Sequence, residues 1–133
     1  IKAIQTYTKT LLQSDSASIV LFSTVATKLG MPFHASVATA KSAIEGLTKS
    51  IAAELATKIR VNAIAPTITD TDLAAKFLRN DRMVESTIQR HPLKKYLKPN
   101  EVAAMATYLL SDLSKSISGQ VFNLDCGIVS LKL

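Results

Sequence analysis

Ile59-Arg60-Val61-Asn62-Ala63-Ile64-Ala65-Pro66 is the stretch that decides the fold. Ile59 to Ala65 is mostly β-branched or small and apolar. Pro66 has no N–H to give to a ladder and ends the run. A short run this rich in β-branched and small apolar residues, Arg60 and Asn62 aside, reads as a buried strand, as in a parallel sheet. Parallel neighbours need a long crossover, and the residues just before this run supply one. From about Ser36 to Thr57 the pattern is helical: Ile44, Leu47, Ile51 and Leu55 form one stripe, and Ala40 and Ala43 extend it as a close-packing face.

The same grammar holds on either side. Upstream, Ile19-Val20-Leu21-Phe22 is a second buried-strand run, followed by loop punctuation at Gly30-Met31-Pro32. Before it, Ile1 to Gln13 carries Ile4, Tyr7, Leu11 and Leu12 at helical spacing and starts with no cap, and Ser14-Asp15-Ser16 is a polar turn. Downstream, Asp70–Leu78 and Met83–Arg90 read as short helical stretches around a polar break at Asn80-Asp81. Pro99-Asn100-Glu101 opens a helix striped by Val102, Ala106, Leu109 and Leu110. Gly119 precedes a third strand, Gln120 to Leu124. Strands separated by helices predict an α/β fold of about three parallel strands with helices on both faces, with one sheet edge bare.

Composition narrows the class. Of 133 residues, 47% are hydrophobic and 20% charged, a globular balance that excludes disorder. Aromatic residues make up 5%, with no Trp, so the core must be aliphatic and alanine-rich. No apolar run is long enough to span a membrane. The one cysteine, Cys126, excludes an internal disulfide or a Cys-based zinc site, no metal site is read, and a reducing, cytoplasmic setting is expected. The net charge of +6 raises the question of nucleic acid. The only dense patch is Arg90, Lys94, Lys95 and Lys98, with Tyr96 alone among them, which favours a solvated basic face.

Five stretches, in order and at matching spacing, resemble the short-chain dehydrogenase/reductase family of Rossmann-fold enzymes. Ser18 to Ala26 looks like its fifth strand and catalytic-serine segment. Val37-Ala38-Thr39-Ala40-Lys41, running on to Lys49, looks like its Tyr-x-x-x-Lys helix. Ile59 to Pro66 is similar to its sixth strand, and Thr67-Ile68-Thr69-Asp70-Thr71 to its nicotinamide loop. Ser118 to Asp125 looks like its last strand. The resemblance covers essentially the whole chain and corresponds to the C-terminal half of a doubly wound Rossmann-type sheet. It implies that residues 1–133 are the C-terminal part of one domain whose dinucleotide-binding half precedes them, and that this chain alone binds NAD or NADP weakly.

The departures bear on chemistry. Val37 stands where the family has its acid tyrosine, and it cannot protonate a carbonyl. Thr24, thirteen residues before Val37, stands at the catalytic serine position and keeps a hydroxyl. Lys41 remains, and with no tyrosine to assist only its ribose-binding role is left. The resemblance implies cofactor contacts at Lys41, Pro66, Ile68, Thr69 and Thr71. Thr67 replaces the glycine after the proline and crowds that loop. The four glycines, Gly30, Gly46, Gly119 and Gly127, form no pyrophosphate turn.

Each candidate also has a plainer reading. Lys41 is a ribose ligand or an exposed helix lysine. Thr24 orients a substrate or caps the strand end, and Ser23 is a weaker neighbour. His34, three residues before Val37, is a substitute acid or a surface histidine. His91, beside Pro92, shapes a turn. Asn62 bonds backbone. Asp70 and Asp72 cap a helix rather than form a carboxylate pair. Cys126, at a family glycine, has nothing near it to activate a thiolate. The implied function is an oxidoreductase moving hydride between NAD or NADP and a small-molecule carbonyl or alcohol, with catalysis weakened at Val37. The alternative is a non-catalytic binding or scaffolding subunit. In either case Ile1–Gln13 and Ser36–Thr57 would pair two copies in a homodimer or homotetramer, with further packing surface at Ala38, Ala52 and Ala53. Nucleic-acid binding through residues 90–98 is a third reading.

Overall fold

The structure is a computed structural model that describes residues 1–132. The elements are α1 (Lys2–Leu11), β1 (Ala17–Phe22), α2 (Ala35–Glu54), β2 (Ile59–Pro66), α3 (Asp81–Arg90), α4 (Pro99–Leu110) and β3 (Val121–Leu124). Short 3₁₀ turns lie at Val25–Thr27, Asp72–Phe77 and Asp112–Ser114. The strands form one parallel sheet in the order β1-β2-β3, the α/β architecture read from the sequence. Ala17 to Phe22 stand opposite Ile59 to Ile64, and Ala63 to Pro66 opposite Val121 to Leu124.

β2 is the middle strand, and Val61, Asn62, Ala63, Ile64 and Ala65 are fully buried. Side chains alternate along it. Ile59 and Val61 join Ala17 and Ala52 in the core, with Leu11, Ile51 and Leu55 packed against them, so α1 and α2 cover this face. Ser18 and Arg60, a register pair, face the other way and meet the end of α4. The Ser18 hydroxyl donates to Leu109 O at 2.8 Å. The Arg60 guanidinium donates to Leu109 O at 2.9 Å and to Ser111 O and Ser114 O at 3.0 Å. A cation thus satisfies carbonyls that the end of α4 leaves without helical partners.

Two helix faces are rotated from the sequence reading. Ile51 and Leu55 do pack inward, but the buried residues of α2 are Thr48 and Ala52, while Ala40 and Ala43 are exposed. Ala52 therefore belongs to the sheet face, Ala38 is half-buried, and of the three residues assigned to a second surface only Ala53 is exposed. The reason is close approach. A Cβ on Gly119 would stand 3.6 Å from that of Ala52, and the Thr48 hydroxyl is spent on Ile44 O at 2.7 Å. Small or internally satisfied side chains line the closest contact, and larger ones fill its flanks. On α4, Leu109 is buried, Leu110 points out and Met105 takes its place in the stripe.

Asn80 and Asp81 do more than break the chain: the Asn80 carboxamide accepts from Met83 N at 3.0 Å and caps α3. Asp72–Phe77 is a tight 3₁₀ turn with only Ala74 buried, too little apolar burial to hold a longer helix. No helix among the described residues is long and apolar enough to cross a membrane.

Asn62 uses its carboxamide on backbone, as read. It donates to Ile117 O at 2.9 Å and accepts from Gln120 N at 3.0 Å, fixing the entry to β3. Asn62→Leu leaves Ile117 O and Gln120 N without this partner and should cost about 2 kcal/mol of stability. Urea unfolding measures it, and a loss below about 1 kcal/mol contradicts this role.

Candidate active site

The candidate residues gather at the C-terminal edge of the sheet because two ladders end there. Ser23 N donates to Ile64 O at 2.8 Å just past β1, and Thr67 N donates to Leu124 O at 2.9 Å just past β2. The loops carrying Thr24 and Thr67–Thr71 therefore leave adjacent strands on the same side. In open parallel sheets this edge is where ligands bind.

α2 supplies the next parts. Lys41 Nζ donates to Phe22 O at 2.9 Å, which holds the ammonium at the end of β1 and leaves it two further donors. One turn on, the Glu45 carboxylate accepts from the Ser23 hydroxyl at 2.6 Å and the Thr27 hydroxyl at 2.8 Å. The Thr27 hydroxyl also lies 2.8 Å from Thr24 O, so its single proton is shared between that carbonyl and Glu45. Glu45 thus clamps both sides of Thr24 onto the helix that carries Lys41. The sequence reading missed it, although its place four residues after Lys41 puts both on one helix face. Thr24 Oγ1 caps the 3₁₀ turn by accepting from Ala26 N at 3.4 Å, so its O–H remains able to donate. Val37, one turn before Lys41, is 47% exposed.

His34 stands at the start of α2. Its Nδ1 lies 2.7 Å from Pro32 O. It lines a cleft of about 390 Å³ with Thr27, Lys28, Met31 and Phe33, a wall that includes neither Val37 nor Lys41. A larger cleft, about 600 Å³, lies at the opposite end of the strands between Ala17, Ile59 and Gly119, remote from all of these residues.

The loop after Pro66 is braced by its own hydroxyls: Thr69 Oγ1 donates to Thr67 O at 3.0 Å and Thr71 Oγ1 to Thr69 O at 3.3 Å. It is also laced to the segment before α4. Leu97 N donates to Ile68 O at 3.1 Å and Asp70 N to Leu97 O at 2.9 Å. Asp70 does not cap a helix: its carboxylate pairs with Lys98 Nζ at 2.6 Å, and that hydrogen bond raises the Lys98 pKa. Asp72 does lie in the first turn of a 3₁₀ helix. His91 does more than shape a turn. It is buried, with Nδ1 2.7 Å from Thr87 O and Nε2 2.8 Å from Thr67 Oγ1. Thr67 thus turns its hydroxyl away to α3.

The basic patch is largely committed. Lys95 pairs with Glu101, Lys98 with Asp70, Lys94 Nζ donates to Gln89 O and Arg90 Nε to Ser86 O. Glu101 also accepts from Lys98 N at 2.9 Å at the start of α4, and these bonds hold its pKa below the usual carboxylate value, the one to Lys95 most of all. No group of three His, Cys, Asp or Glu side chains among the described residues is placed to hold a metal ion.

A family model described as enoyl-(acyl carrier protein) reductase matches residues 1–129. A solved short-chain type dehydrogenase/reductase from Mycobacterium ulcerans superposes on 95% of this chain and 46% of its own, with TM-score 0.87 and 28% identity. This chain belongs to the short-chain dehydrogenase/reductase family. The 3-oxoacyl-(acyl-carrier-protein) reductase of Thermotoga maritima is 38% identical over 120 residues, 90% of this chain and 48% of that protein. The gluconate 5-dehydrogenase of Burkholderia cenocepacia, solved with NADP and tartrate, matches with TM-score 0.89 and 25% identity over 97% of this chain and 51% of its own. The chain spans about half the length of the relatives it matches.

At this candidate site, Glu45→Ala should remove the short acceptor of the Ser23 hydroxyl, leave the Thr27 hydroxyl with Thr24 O alone and cost about 1 kcal/mol, while Glu45→Gln keeps an acceptor and costs less. Equal losses in the two variants, read by urea unfolding, contradict the clamp. Cys126 lies in the final loop at φ +52, a backbone conformation that favours glycine. Burial pushes its thiol pKa up, with the Lys95 charge opposing more weakly. Iodoacetamide at pH 7.5 should therefore label native Cys126 more slowly than urea-unfolded Cys126, and equal rates would contradict its burial.

Proposed function

We propose that this chain forms the reaction edge of an oxidoreductase that moves hydride between NAD or NADP and a small-molecule carbonyl or alcohol, with catalysis weakened at Val37. The observation that carries this reading is the Lys41 ammonium, 2.9 Å from Phe22 O at the end of β1, beside Thr24 and one strand from the Thr67–Thr71 loop. The residues fit the nicotinamide end of such a cofactor. Lys41 keeps donors for a ribose hydroxyl. Thr71, whose hydroxyl already donates to Thr69 O, keeps lone pairs for an amide N–H. Pro66, Ile68 and Thr69 would form the rest of that wall. The adenosine portion would be held by a preceding half of the same domain, residues 1–133 being the C-terminal part, so this chain alone binds weakly.

A bound nicotinamide would supply the hydride. Reduction then needs a hydrogen bond to the substrate oxygen and a proton for it. Thr24 supplies the first. Val37 supplies no proton, and its exposure leaves water as the donor. His34, which shares a cleft wall with Thr27, is the side-chain alternative to water. The same valine favours a second reading, a non-catalytic binding subunit. Both readings carry a homodimer or homotetramer through α1 and α2, supported by exposed Tyr7 on α1, Leu12 just after it, and exposed Ala40, Ala43 and Ala53 on α2. Both also carry a reducing cytoplasm, supported by the free thiol of Cys126.

General-acid assistance is worth about 10²- to 10⁴-fold, so wild type should be a poor carbonyl reductase and Val37→Tyr should gain at least about tenfold. The assay is NADH or NADPH oxidation by the full gene product against a panel of simple ketones and aldehydes. Ordinary wild-type turnover contradicts the weakened site. No activity in either protein favours the binding subunit.

A further inference from the structure

His91 is a buried histidine with both ring nitrogens engaged, and nothing in the proposed reaction uses it. A carbonyl oxygen can only accept, so Nδ1, 2.7 Å from Thr87 O, carries the proton. Nε2 is then the acceptor for the Thr67 hydroxyl at 2.8 Å. By this bond the first residue after β2 reaches sideways to the residue that ends α3, Thr67 N being spent on Leu124 O. The loop is tied down again at Leu97, through Ile68 O and Asp70 N, and at Lys98, through the Asp70 carboxylate. The Lys98–Asp70 pair is solvent-exposed, with side chains 54% and 46% accessible, and holds weakly. The His91 ring is buried and Thr67 is half-buried, so this hydrogen bond is better shielded than the exposed pair and constrains the loop more.

We propose that His91 is a positioning residue: by accepting the Thr67 hydroxyl proton it fixes the base of the Thr67–Thr71 loop, and with it the place where Ile68, Thr69 and Thr71 stand over the sheet edge. The proposal deepens the reading above and rests on it for what that loop faces. It also gives Thr67 a use. A glycine at this position could not make the bond, and a valine would have the shape without the hydroxyl.

The test begins with the unmodified, isotope-labelled chain. Long-range ¹H–¹⁵N correlation at pH 7 should show the His91 ring protonated at Nδ1 and bare at Nε2, and the opposite tautomer overturns the proposal. Amide hydrogen exchange then reads the loop. Thr67→Val should speed exchange at Asp70 and Leu97 by about tenfold, leave Val61 and Ala63 within about twofold, and be reversed by Thr67→Ser. Unchanged exchange at Asp70 and Leu97 overturns the proposal. So does an equal rise at Val61 and Ala63, which marks general loss of stability. Nicotinamide mononucleotide, added at millimolar concentration, separates the two claims. If exchange responds as stated but the mononucleotide shifts no loop amide, His91 positions the loop and the nicotinamide reading fails.

Discussion

The structure depends on the pairing of β2 along both edges while both its faces are covered. Val61 through Ala65 have no access to water, so each backbone N–H and C=O there must find a partner in β1, β3 or the loops beside them, as Ile64 O does at Ser23 N. Asn62 completes that account with its side chain, bonding Ile117 O and Gln120 N where the ladder to β3 has not yet begun. Once the register is fixed, the strand ends are fixed, and the polar groups that follow them must emerge together at one edge.

That edge is then built by side chains that satisfy backbone before they can serve a ligand. Lys41 bonds Phe22 O, Glu45 gathers the Ser23 and Thr27 hydroxyls, and Thr69 and Thr71 brace the loop in which they sit. The result is a preorganised frame of the kind on which hydride transfer depends. Val37 sits in that frame with nothing to donate. On the proposed reading, ribose positioning by Lys41 and the missing acid at Val37 would be separable, because the two residues lie one turn apart on α2.

The strands were legible because short apolar runs have few other readings, and Pro66 marked where β2 stops. The face of α2 was less so. A stripe drawn through Ile44, Leu47, Ile51 and Leu55 weighs hydrophobicity, whereas the closest contact with the sheet selected Thr48 and Ala52 for size. Candidate residues were legible by spacing within one element, as with Lys41. Their partners were not when they lay far along the chain: His91 stands 24 residues from Thr67, and Lys98 stands 28 from Asp70. Counting charge from 90 to 98 likewise overlooked Glu101 and Asp70, which neutralise two of the four cations. Glu45 was within reach, one helical turn from Lys41, but a carboxylate on a helix reads as surface until its hydroxyl partners are known.

The central claim is that Thr24, Lys41 and the Thr67–Thr71 loop together form the nicotinamide end of a cofactor site. The most direct measurement is a chemical-shift map of the labelled chain titrated with nicotinamide mononucleotide, a method suited to the roughly millimolar affinity, about 4 kcal/mol, expected of so few contacts. The account predicts shifts concentrated at Thr24, Lys41 and Ile68 to Thr71, saturating together. Shifts centred instead on Lys49, Lys58 and Lys115 at the opposite end of the strands, or none at any of these residues, would contradict it.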